Sequence, residues 1–219
     1  KINFSLWFIF VFWFTAWISY GKLFLKNHLP NLMKTTDKFA SHAKKRAWFV
    51  SVVFFFWTLF VVFFLKKYPE NLSLLLFYFL LLLNTFFSVR VFASITPRDH
   101  FGQLVWDSLL LSCLVGLSLT LTSSFYFVFL TLFLFIIATL KYIFLIPLVN
   151  FSPLLFYKIR IDTLGTLLCS ICLFGIVFGY PTLSVNLWVL IFFLANLYVL
   201  WRKPLYKLEH HSNSFLESI

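Results

Sequence analysis

Cut at its charged residues, this chain falls into six long uncharged runs: Ile2–Gly21, Ala47–Leu65, Asn71–Val89, Ser108–Leu140, Tyr142–Tyr157 and Thr163–Trp201. A helix needs about 20 mostly apolar residues to cross a bilayer, and the first three runs are each one such helix long. The 219 residues are 62% hydrophobic and 11% charged, whereas soluble domains carry about 25% charged residues. A water-exposed surface cannot be built from this alphabet, which excludes a soluble enzyme or binding domain. Disorder is excluded as well, because it requires low hydrophobicity. The fold class expected is an all-α integral membrane protein.

The fourth run has 33 residues and the last has 39, each too long for one crossing at about 1.5 Å per residue. Thr122-Ser123-Ser124 is the natural turn in the former. Gly179-Tyr180-Pro181-Thr182 divides the latter, since a glycine closely followed by proline stops a helix. Lys141 sits among apolar residues on both sides and interrupts a helix rather than ending it. Seven spans follow, at 3–20, 47–65, 72–95, 103–121, 125–147, 162–179 and 183–201, in one domain over 1–204. A short polar tail, 205–219, comes after them.

The basic residues orient these spans. With alternate connections on alternate sides, 15 of the 18 Lys and Arg fall on one side, and only Lys1, Lys66 and Lys67 fall on the other. Lys and Arg accumulate on the cytoplasmic side of membrane proteins. The topology expected is therefore N-terminus out and C-terminus in, in a bacterial inner membrane or an organelle membrane. Cleavage of the first span as a signal peptide is not expected, because no small-x-small site follows it.

The net charge of +11 fits the same topology and attraction to anionic headgroups. It does not imply nucleic acid, since the aromatic residues lie inside the apolar runs. The linker 21–46 reads as a basic amphipathic helix on the cytoplasmic headgroups. Lys34, Lys38, Lys44, Lys45 and Arg46 are its candidate contacts to anionic lipid. The other partners expected are membrane polypeptides.

Ionisable residues inside a bilayer are costly, and four stand toward the cytoplasmic ends of the spans: Arg90, Asp107, Lys141 and Asp162. The hairpin geometry predicts that Arg90 can meet Asp107, and that Lys141 and Asp162 flank the next connection. This charge layer is either a polar vestibule for an ion or small solute or a set of hairpin staples. Asn84, Asn186 and Asn196 are candidates for helix contacts or for lining a path.

No catalytic site, cofactor or metal site is expected. The metalloprotease, nucleophile-elbow and P-loop patterns do not occur. Cys169-Ser-Ile-Cys172 lies within a span rather than at a helix start, so it reads as packing. A retinal protein would need a lysine in the last span, and 183–201 has none. The function expected is an embedded subunit or scaffold of a larger membrane complex. The alternative is a channel or transporter using the charge layer.

Overall fold

A computed structural model of the chain describes residues 37–95, 101–148 and 153–199. The expected first span, most of the 21–46 linker (Lys34 included) and the tail lie outside the described residues. Among the described residues the fold is all-helical. It comprises α1 (Asp37–Phe63), α2 (Leu72–Ile95), α3 (Phe101–Leu119), α4 (Ser124–Leu145), a 3-10 turn (Ile146–Leu148), α5 (Pro153–Val177) and α6 (Pro181–Leu197). Stretches of α1 to α5 are long and apolar enough to cross a membrane, and α6 is a shorter apolar helix. The chain is a multi-pass integral membrane protein. In hydrocarbon every backbone polar group must be satisfied within the segment, and a helix does this.

The turns sit where their residues demand them. Gly179 has a φ of +91°, in the left-handed region that favours glycine after a helix end. The Tyr180 N–H donates to the Gly175 carbonyl at 3.0 Å. Pro181 then starts α6 at the position where its missing N–H costs nothing. The turn between α3 and α4 falls at 120–123, overlapping the expected Thr122-Ser123-Ser124, with Ser124 already the first residue of α4. The 3-10 turn that closes α4 contains Pro147.

Two helices start earlier than the sequence suggested. α1 begins at Asp37 rather than near 47, so Lys44, Lys45 and Arg46 belong to the spanning helix itself. α5 begins at Pro153 rather than near 162, which places Lys158 and Arg160 on a helix instead of in a connection. The physical reason for the second is local. Lys158 and Asp162 stand four residues apart on one helical face and bond to each other, so neither charge interrupts the helix.

The main helix contacts run in the order α1, α2, α6, α5, α4, α3 and back to α1, a ring across which α4 also meets α6 and α2. Aromatic side chains fill its interior. Phe77 of α2 stacks on Trp188 of α6 at 3.9 Å between ring centroids. It also meets Phe192 at 4.4 Å and the edge of Phe127 of α4 at 5.9 Å. Such ring pairs add about 0.5–1.5 kcal/mol beyond area burial. α4 and α5 approach closely because Gly165 has no side chain: a Cβ there would lie 3.0 Å from the Phe135 ring.

Candidate functional site

The short turns make the helices alternate in direction, so the chain's described charges gather at the bundle's two ends. One end carries Lys44, Lys45, Arg46, Arg90, Lys141, Lys158 and Arg160, while the other carries Lys66 and Lys67. Aromatic contacts set the levels. Trp48 meets Phe86 at 5.1 Å and Phe55 meets Phe79 at 5.5 Å, which fixes the antiparallel register of α1 and α2. Phe77 meets Phe127, and Phe92 meets Tyr142 at 4.8 Å, which fixes the parallel register of α2 and α4. By these registers Lys44, Arg90 and Lys141 stand at about one depth.

Of the four residues singled out as a charge layer, the structure joins Asp107 to Lys141, whose Nζ donates to Asp107 Oδ1 at 2.5 Å. Asp162 takes a different partner: Lys158 Nζ donates to its Oδ1 at 2.6 Å. Arg90 makes no ion pair among the described residues. The expected Arg90–Asp107 meeting is thus replaced by a bond between α3 and α4. Arg90 lies one turn beyond Phe86 on α2.

The two pairs differ in setting. Asp162 is 1% exposed and Lys158 6%, whereas Asp107 is 46% exposed. Desolvating two charges costs several kcal/mol per ion, so the α5 pair persists only with further partners. Lys158 Nζ lies 5.9 Å from the centroid of the Tyr142 ring, and Lys141 Nζ lies at the same distance. The Tyr142 hydroxyl shares a 2.8 Å hydrogen bond with Ser88 Oγ of α2. Asp162 Oδ2, by contrast, is buried with no hydrogen-bond partner among the described residues. From this pair a polar stripe continues along α5: Thr166 Oγ1 donates to the Asp162 carbonyl, and Ser170 Oγ donates to the Thr166 carbonyl.

Of the expected helix contacts, Asn186 of α6 accepts hydrogen bonds from Asn71 Nδ2 at 3.1 Å and Ser73 Oγ at 2.6 Å. It ties the start of α6 to the start of α2. Asn196 is buried, and its side chain donates to the Phe192 carbonyl of its own helix. Asn84 is half-buried on α2. Exposed Lys44, Lys45 and Arg46 open the apolar part of α1, with Trp48 and Phe49 below them. Lys38 lies on the same helix.

Glu70 escaped the sequence reading. Its N–H donates to the Leu121 carbonyl at 2.9 Å. Its carboxylate accepts the Ser124 N–H at the start of α4, where a negative charge meets the positive end of the helix dipole. The signal was an acid beside the outer connection, where acids are scarce. Lys158 was also missed, and the signal there was its four-residue spacing from Asp162.

Comparison with known families, with curated proteins and with solved structures found no match to this chain. The site therefore rests on its own geometry. Among the described residues no three His, Cys, Asp or Glu side chains gather as a metal site requires. Cys113, Cys169 and Cys172 are free and buried.

Proposed function

We propose that this protein is an embedded subunit or scaffold of a larger membrane complex, with its basic end on the cytoplasmic side and no catalytic chemistry of its own. The observation that carries this reading is the outward face of α3. Only 17% of its most apolar window is buried in the bundle, the smallest share among the five long helices. Ser108 and Ser112 are exposed on it, one turn apart, with their hydroxyls turned back to the Leu104 and Ser108 carbonyls. Small residues with satisfied hydroxyls let another helix approach closely, which is how helices associate in lipid. Stacked phenylalanines on α4, Phe125 on Phe129 at 6.1 Å and Phe129 against Phe133 at 5.1 Å, widen the apolar exterior.

A photo-crosslinking residue at Ser112 in the native membrane tests this reading. A discrete crosslinked polypeptide that disappears with Ser108→Phe supports it. Crosslinks to lipid alone contradict it.

One observation favours a second reading, a channel or transporter working through the charged layer. A carboxylate oxygen of Asp162 is buried without a hydrogen-bond partner among the described residues, on a helix that continues as a polar stripe. Against it, aromatic rings fill the ring of helices at the level of Phe77. Loss of solute flux in Asp162→Asn vesicles at normal expression would favour transport. Unchanged permeability would favour the scaffold.

A further inference from the structure

Across the α1–α2 hairpin, Trp48 and Phe86 touch. One helical turn beyond each, toward the basic end, stand Lys44 and Arg90. Residues four apart share a helical face, so these two cations occupy the facing sides of the hairpin just past the aromatic contact. Lys45 and Arg46 stand at the same end of α1 and are exposed, as is Lys44. Neither Lys44 nor Arg90 has an ion-pair partner among the described residues. Two like charges facing each other repel, and more strongly where apolar surroundings lower the dielectric. Elsewhere at this end Lys141 and Lys158 each have a carboxylate from the chain itself. At the hairpin no described residue supplies one, which leaves these cations open to an anion from outside the chain.

The place indicates its source. The cations sit at the end of apolar spans with exposed Trp48 and Phe49 directly below. Aromatic rings sit at headgroup depth, and the anion abundant at that depth is a lipid phosphate. We infer that Lys44 and Arg90, with Lys45 and Arg46 at the rim, form a site for the phosphate of an anionic lipid, whose acyl chains run down beside Trp48 and Phe49. Arginine suits this role because its planar fork can grip two phosphate oxygens at once. The site needs only the bilayer and does not depend on the scaffold reading, because a transporter would bind the same lipid.

The test uses the full chain in phosphatidylcholine nanodiscs carrying spin-labelled phosphatidylglycerol or spin-labelled phosphatidylcholine, with the motionally restricted fraction as readout. Phosphatidylglycerol is expected to be retained several-fold over phosphatidylcholine. Arg90→Gln and Lys44→Gln are each expected to remove most of that preference, since one basic residue at a membrane surface contributes about fivefold. Arg90→Lys keeps more of it than Arg90→Gln. Arg160→Gln, at the same end but on α5, leaves it near the parent value, which separates a site from diffuse attraction. If Arg90→Gln does not fold, exposed Lys44→Gln carries the same test. Equal retention of the two lipids overturns the proposal, as does an Arg160→Gln loss equal to the Lys44→Gln loss. Displacement of phosphatidylglycerol by excess inorganic phosphate would assign the site to free phosphate and overturn the lipid.

Discussion

At the basic end of the bundle, two regions handle positive charge in opposite ways. Between α3, α4 and α5, Lys141 and Lys158 are neutralised by Asp107 and Asp162, and Lys158 is sunk almost wholly out of contact with solvent or lipid. On α1 and α2, Lys44, Lys45, Arg46 and Arg90 have no described carboxylate opposite them. In the paired region each ammonium has a carboxylate from the chain, and the Lys141–Asp107 pair joins two helices. The unpaired region is where we propose an anionic lipid supplies the counter-charge. Lysines at one end of a bundle can therefore fasten helices internally in one region and stand without a described carboxylate in another. Burial and the placement of two aspartates decide which.

The sharpest way to break this comparison is to remove one member of the buried pair. Asp162→Ala leaves the Lys158 ammonium buried without its carboxylate, and destabilisation of about 3–5 kcal/mol is expected in detergent unfolding. Lys158→Met combined with Asp162→Leu should recover most of that loss, because matched apolar side chains replace a buried pair at little cost. If the double variant is no better than the single, the pair has a role beyond fastening.

A smaller effect is expected at Tyr142→Phe, which keeps the ring between the two ammonium groups and deletes the hydroxyl bonded to Ser88. A loss of about 1 kcal/mol is expected, typical of one hydrogen bond. Lys141→Met should cost about 0–1 kcal/mol, because half-exposed Asp107 can be solvated once its partner is gone. The smallest effect belongs to the unpaired region. Lys44→Gln with Lys45→Gln should change stability in neutral detergent by less than about 0.5 kcal/mol, while lowering the extra stability gained on adding anionic lipid. A large loss in neutral detergent would mean that these cations have partners within the chain, and the comparison would fail.

The legible parts of this molecule were those written in long patterns. The apolar runs gave the spanning helices. Polar and glycine-proline breaks gave the turns at 120–123 and 178–180. Lys141 was correctly kept inside a helix because its flanks are apolar on both sides. Cutting the chain at charges failed where two charges cancel: one by one Lys158 looks like a loop residue and Asp162 like the first residue of a span, and they read as one helical face only as a pair. The choice of partners was also hidden. Arg90 and Asp107 stand at matched depth on consecutive helices, yet it is Lys141 of α4 that reaches Asp107. Which helices are neighbours depends on the ring order, and that order is set by centres such as Phe77 on Trp188. With 33 phenylalanines in the chain, nothing in the sequence marks one of them as central.

The account depends above all on the described helices crossing a bilayer in alternation, with the basic residues of the loops and helix ends on one side. Single cysteines at Lys45, Tyr68 and Thr122, in a chain with Cys113, Cys169 and Cys172 replaced, should be labelled in sealed vesicles by a membrane-impermeant maleimide. Labelling of positions 68 and 122 from one compartment, and of position 45 only from the other, is the predicted result. Labelling of all three from the same compartment would contradict it.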